Sequence, residues 1–250
     1  MTIQTATLFA DKSDLYASAR PQYPSALFTF ISDLVKNYDQ AWDCATGNGQ
    51  AAIGLAQKFK TVQATDISPQ QVANSLLKSN IHYSVSPAEQ TTFTNNQFDL
   101  VSVAQALHWF DFEKFWPEVN RVLKPDGLFV TFAYAWFTVS QTIDLAVEKY
   151  IKHVIAPYWP VNNQLVWNHY QDVDFPFVKL KTPELTLQNH WDLQQFMDYM
   201  HTWSATRRCI EAKGMDFFEQ AKIQIGNQWG PPKKKRLVIS PLTVIAGKNW

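Results

Sequence analysis

The residues best placed to do chemistry cluster in the first third of the chain. Asp43, Ala45, Gly47 and Gly49 alternate through the run Asp43-Cys44-Ala45-Thr46-Gly47-Asn48-Gly49-Gln50. Glycines in such a turn permit close backbone approach and left-handed φ values, and a helix N-terminus behind them favours phosphate-like groups. Asp66 follows Gly49 by about 17 residues, close to the interval at which an acidic side chain meets ribose hydroxyls in dinucleotide-binding folds. By themselves these residues indicate a nucleotide-like cofactor without saying which one. Further along, His108 is a candidate general base, because it follows an apolar strand at whose end a cofactor and a second reactant would meet. The reading favoured over a base is that His108-Trp109 shapes the pocket wall, with the imidazole hydrogen-bonded structurally. Trp109 and Trp136 are candidate wall residues of the second reactant's site, or simply packing.

These residues need strands and helices to hold them. Residues 41–45 and 62–67 read as buried strands, 82–85 and 98–104 as two more, and 128–134 as a fifth. Between them, 50–59 and 112–123 have helical spacing, as does 25–38 behind Pro24. Ser68-Pro69 opens another helix, with serine as N-cap and proline at the first helical position. Lys124-Pro125-Asp126-Gly127 reads as a turn. Alternation of this kind, with strands apolar on both faces, predicts an α/β fold: a doubly wound, mostly parallel, seven-stranded Rossmann-like sheet. Beyond Ala135 the alternation stops. Residues 139–154 and 193–213 read as helices and 158–174 as an irregular aromatic stretch. Residues 178–187 and 237–246 read as strands that close the sheet as an antiparallel pair. Pro183 and Pro241 favour an edge or a bulge for those two strands. A cofactor-binding core over residues 1–135 is expected, followed at 136–250 by a helical C-terminal cap plus the last strands, in one compact unit.

Composition excludes several classes. The 250 residues hold 22 basic and 22 acidic side chains, 46% hydrophobic and 18% charged residues. Balanced charge argues against a nucleic-acid surface, which works by releasing counterions, and Lys233 to Arg236 reads as a solvated turn. Two cysteines, Cys44 and Cys209, make no disulfide framework. The histidines lack ligand spacing, so no metal is expected. No Ser/His/Asp or Cys/His constellation is legible. Residues 1–14 carry neither a basic nor an apolar signal segment, and no apolar run is long enough to span a membrane. A cytoplasmic protein, monomer or homodimer, is expected.

Six segments in order extend the pattern: Tyr16 to Pro24, the Asp43 turn, Asp66, Pro87-Ala88-Glu89, residues 104–110 (Ala-Gln-Ala-Leu-His-Trp-Phe), and Arg121 to Gly127. Together they resemble the class I S-adenosylmethionine-dependent methyltransferases, and within them the trans-aconitate methyltransferase-like branch of small-molecule enzymes. The late strand pair, in place of a second catalytic domain, separates this from a nicotinamide dehydrogenase. The resemblance covers residues 15–134. It implies S-adenosyl-L-methionine as cofactor and a small-molecule methyl acceptor, with O-methylation of a carboxylate as the expected reaction. The alternatives are C-methylation of a quinone- or sterol-like acceptor, or cofactor binding without turnover. Asp43, Ala45 and Gly47 would line the methionine end, with Gly49 allowing close approach. Asp66 would hold the ribose, Ile67 the adenine face, and Ala88 and Glu89 its edge. Ala104 and Gln105 would meet the methionine amine, and Tyr16 and Arg20 would fold over the cofactor, Arg20 pairing with its carboxylate. Trp203 and Arg207 resemble a cap segment that faces the acceptor. The family's usual first glycine is Ala45 here, which a negative φ at that position would accommodate.

Overall fold

The computed structural model describes residues 20–248; the candidate Tyr16 lies outside them. The strands are β1 (Gln40–Cys44), β2 (Thr61–Asp66), β3 (Ile81–Val85), β4 (Phe98–Ala104), β5 (Leu123–Tyr134), β6 (Val178–Lys179), β7 (Leu185–Trp191) and β8 (Arg236–Lys248). They form one sheet in the order β3-β2-β1-β4-β5-β8, with β6 and β7 both paired to the far edge of β8. The first five run parallel, while β8 is antiparallel to β5 and to β7. Seven lateral positions were expected and seven are filled. The eighth strand arises because residues 178–187 do not form one strand: Pro183 falls in the break between β6 and β7.

The helices that matter for the site are α1 (Ser25–Leu34), α2 (Gln50–Leu55), α3 (Pro69–Ala73), α4 (Phe112–Val122), α5 (Gln141–Val147), α6 (Asn163–Trp167), α7 (Leu193–His201), α8 (Ser204–Lys213) and α9 (Asp216–Trp229). Alternate residues of β5 separate the two cores. Leu128, Val130, Phe132 and Tyr134 pack with α1, α2 and the cap helices α5, α7 and α9. Phe129 and Ala133 pack with Phe115, Val119 and Val122 of α4. A sheet covered on both faces needs apolar residues at both parities, and β4 and β5 are buried nearly throughout.

Four local departures from expectation have identifiable causes. Residues 124–127 are not a free turn but part of a bulge in β5, where pairing to β4 jumps from Leu123 to Leu128. Pro241 lies inside β8, away from the sheet edge. Ile239 exchanges hydrogen bonds with Thr138, so by the twofold alternation of a strand the absent N–H of Pro241 faces the same side. There β8 has no partner between Tyr134 and Thr138, and no ladder bond is lost. The helix expected over 193–213 breaks at Thr202–Trp203, where the Thr202 hydroxyl donates to the Tyr199 carbonyl at 2.6 Å. The helix expected over 139–154 continues past α5 through a π-helical turn, Glu148–Lys152, a distortion that often re-aims side chains at functional positions.

Candidate functional site

The carboxyl ends of β1 and β4 meet where the strand order reverses, the crevice in which doubly wound sheets take their ligands. Beyond β1 the chain turns through Ala45 to Gly49. Thr46 N–H donates to Thr65 O at 2.9 Å and Gly49 N–H to Thr46 O at 3.0 Å, which ties the turn to the end of β2. Asp66 completes the tie: one carboxylate oxygen accepts from Gly47 N–H and the other from Ser68 N–H, both at 2.9 Å. Each oxygen keeps a second lone pair. Ser68 caps α3 by accepting from Gln71 N–H.

Around this turn lies a cleft of about 760 Å³. Of the cofactor residues expected from sequence, Arg20, Ala45, Gly47, Asp66, Ile67, Ala104 and Gln105 line it. Asp43, Gly49, Ala88 and Glu89 do not reach its wall. Asp43 is fully buried behind the turn, where its carboxylate accepts from Thr46 Oγ1 at 2.5 Å and Ser102 Oγ at 3.0 Å. Burial pushes its pKa up to about 6. It therefore braces the turn from within. Gly49, at φ +91°, opens α2, and Ala88 is packed into the core beside α4. Glu89 accepts from Asp111 N–H at 3.3 Å, tying its loop to the start of α4. Tyr134, unforeseen, lines the cleft from the carboxyl end of β5, the place where a doubly wound sheet puts such residues.

Ala45 does not meet the condition under which its methyl group would be accommodated without strain. Its φ is +54°, not negative, a conformation that costs an L-residue about 1–2 kcal/mol. Gln105 is also left-handed, at φ +55°. Its side-chain amide pairs with both backbone groups of Tyr134, donating to O at 3.0 Å and accepting from N–H at 3.2 Å. Two strained residues thus flank one cleft at the ends of adjacent strands, which fits the clustering of strain at ligand sites. Ala45→Gly is expected to raise the melting temperature by about 2 °C in calorimetry. Relief of the left-handed strain should outweigh the added freedom of the unfolded chain by somewhat under 1 kcal/mol.

A second cavity, of about 650 Å³, adjoins the first. Arg20, Gln105, Trp109 and Tyr134 line both. The Arg20 guanidinium donates to the Tyr134 hydroxyl at 3.4 Å across that junction. Beyond it stand Trp136, Trp159, Trp167 and Trp203. Trp136 and Trp167 stack at 5.7 Å, and Trp159 stands at 88° to each of them. Lys152, the last residue of the π turn, holds its ammonium 4.2 Å over Trp136. Trp109, Trp136 and Trp203 were expected here and are present, whereas Arg207 is absent from the wall. It lies on α8 one turn past Trp203, and its side chain leaves the cavity to Ser204. Trp159 and Trp167 went unforeseen, because residues 158–174 offered no periodicity. His108 lines this second cavity from a short 3₁₀ turn. It is buried, and desolvation lowers its pKa to about 3, so the imidazole is neutral at physiological pH.

A family profile described as a methyltransferase domain matches residues 42–131, the stretch from β1 into β5. A solved structure from Anaeromyxobacter dehalogenans, assigned as a type II methyltransferase, is 33% identical with a TM-score of 0.85. The alignment covers 92% of this chain and 97% of that one. The chain belongs to the S-adenosylmethionine-dependent methyltransferases. A Dictyostelium discoideum protein assigned as a methyltransferase is 29% identical over 228 residues, 88% of this chain and 87% of its own length. A Rickettsia prowazekii ubiquinone/menaquinone biosynthesis C-methyltransferase is 31% identical over 120 residues, 42% of this chain and 48% of that one.

The first cleft of this methyltransferase suits its cofactor on its own chemistry. S-adenosylmethionine carries a sulfonium charge, ribose hydroxyls and an amino-acid end. Two buried carboxylates, Asp43 and Asp66, favour a cation nearby, and burial raises the pKa of each. A side chain at Gly47 would meet nothing closer than 3.9 Å, so the floor there is open to a ligand. Among the described residues no helix is long and apolar enough to cross a membrane.

Proposed function

We propose that this methyltransferase methylates a small, mostly apolar acid on its carboxylate, held in the tryptophan-lined cavity. The observation that carries the reading is the adjacency of the two cavities at Arg20, Gln105, Trp109 and Tyr134. When bound, S-adenosylmethionine supplies an electrophilic methyl group on sulfur. The chain's part is alignment, since effective molarity alone offsets several kcal/mol of such a barrier. Four indole faces suit a flat apolar body. The wall offers no strong base: an imidazole whose pKa is near 3 is a poor proton acceptor for a phenol or an amine. A carboxylate needs none, being ionised already. Arg20 places a positive charge at the junction for the cofactor's carboxylate or the acceptor's. The balanced net charge supports a small molecule over a nucleic acid.

The test is turnover to S-adenosylhomocysteine across flat aromatic acids, phenols and quinols, with products read by mass spectrometry. Methyl esters of the acids are expected, with kcat/KM flat from about pH 7.5 to pH 9, where His108 stays neutral and Asp43 stays ionised. A second reading, C-methylation of a quinol-like ring, draws on the similarity to the Rickettsia enzyme and on the same aromatic walls. Turnover confined to quinols, rising with pH, would establish it in place of the first.

A further inference from the structure

His108 is held from two sides by one excursion of the chain. The Asn162 amide donates to its carbonyl at 2.9 Å, and Nδ1 lies 3.3 Å from the Tyr170 hydroxyl. Tyr170 is fully buried, and its side chain is no part of the cavity wall that His108 helps to form. The Nδ1 edge of the imidazole therefore faces the interior and the Nε2 edge is the one available to the cavity. His169 and Tyr170 are consecutive left-handed residues, at φ +59° and +57°. For a β-sheet-prone aromatic that conformation is strained, and such strain persists only where the surroundings impose it. It is what turns the Tyr170 ring back under the 3₁₀ turn.

The direction of the shared proton follows from the partners of the hydroxyl. Nδ1 is its one hydrogen-bond partner among the described residues, so a buried phenol hydrogen turned away from Nδ1 would be left without an acceptor. A ring nitrogen that accepts a hydrogen bond carries no proton in the neutral imidazole, and the proton must then sit on the other nitrogen. Burial keeps Tyr170 a phenol and His108 uncharged.

We propose that Tyr170 is a positioning residue that locks His108 in the Nε2–H tautomer, making it a hydrogen-bond donor to the acceptor's carboxylate in the tryptophan-lined cavity. The inference rests on the reading that this cavity takes the acceptor. A neutral donor can hold an anionic oxygen in line without adding the charge that would weaken its nucleophilicity, a role a protonated histidine could not fill. Trp109, with its ring 4.9 Å from the imidazole, limits rotation on the other side.

Long-range ¹H–¹⁵N correlation spectra of the full-length protein saturated with S-adenosylhomocysteine test the tautomer without any acceptor, with His108→Gln used to assign the resonances. Wild type is expected to show Nε2 as the protonated nitrogen and Nδ1 as the unprotonated one. Tyr170→Phe, which keeps the ring and the fold, is expected to give a mixture. With the fastest acid of the turnover panel, Tyr170→Phe should raise the acceptor KM about tenfold and leave that of S-adenosylmethionine within about twofold. His108→Gln, whose amide nitrogen reaches the Nε2 position, should keep at least about tenfold more turnover than His108→Asn, whose nitrogen reaches only the Nδ1 position. Protonation on Nδ1 in wild type, or a tautomer unmoved by Tyr170→Phe, overturns the assignment. Failure of every acid in the panel would instead remove the acceptor reading on which the donor role rests, and the spectra would show which of the two had failed.

Discussion

Asp66→Ala is expected to weaken S-adenosylmethionine binding by about a hundredfold. The carboxylate accepts from Gly47 N–H and Ser68 N–H at once, and hydrogen bonds to an ionised acceptor are each worth about 1.5–3 kcal/mol. Losing it strands two backbone donors and unties the β1 turn from the start of α3, in addition to removing the acceptor proposed for the ribose. Asp66→Asn should be nearly as damaging, which is unusual for so small a change. Both carboxylate oxygens accept from N–H groups, so the amide must face one of them donor to donor whichever way it turns. Titration calorimetry checks both variants, and a dissociation constant within about threefold of wild type would refute the assigned role.

Much of this site was legible because the residues that build it are local. Apolar strands with helices between them, the first followed by the Gly47 and Gly49 turn and the second ended by Asp66, already specify a parallel sheet and its ligand edge, and β4 falls where its apolar run begins and ends. The sign of φ at Ala45 was not legible. It depends on Thr46 and Gly47 being drawn toward β2 by Thr65 and Asp66, contacts made across a crossover. Nor could the tolerance of Pro241 be foreseen, since it requires that β5 end at Tyr134 before the missing donor is needed. The tryptophan cavity is the extreme case. Trp136, the pair Trp159 and Trp167, and Trp203 come from three separated segments, and no spacing along the chain announces that they meet. Helix α9 differs in kind, because its signal was present. Phe218, Ala221, Ile225 and Trp229 are its buried residues and recur at helical intervals, but intervening Gln, Lys and Asn residues dilute the pattern. Arg207 shows the converse. It stands only four residues from Trp203, yet the break at Thr202–Trp203 sets the start of α8 so that Ser204 meets the cavity and Arg207 does not.

Asp43→Asn is expected to make the protein more stable above pH 6 and worse at recognising its cofactor. The carboxyl is wholly buried, with desolvation the main cause of a pKa raised from an ordinary 3.8 to about 6. Because the raised value belongs to the folded state, the native protein holds this proton more tightly than the unfolded chain. Stability from the group is therefore complete below about pH 4 and is lost as pH rises through 6, a difference of about 3 kcal/mol for a shift of this size. The asparagine removes the charge, and the Thr46 and Ser102 hydroxyls can rotate to accept from its nitrogen as readily as they donate to an oxygen. At pH 8 the variant should gain about 2–3 kcal/mol and melt roughly 5–10 °C higher, while at pH 4 the two proteins should converge. A charge kept at that cost, just behind the cofactor cleft, makes sense if it attracts one. S-adenosylmethionine carries a positive sulfur and S-adenosylhomocysteine does not, so a field from Asp43 favours the first over the second. The asparagine should narrow that preference by about tenfold, chiefly by weakening S-adenosylmethionine, since low-dielectric surroundings keep such a field strong. Calorimetric titration with both ligands reads the ratio directly. Equal losses for the two would mean that Asp43 shapes the turn alone, and that its charge serves no ligand.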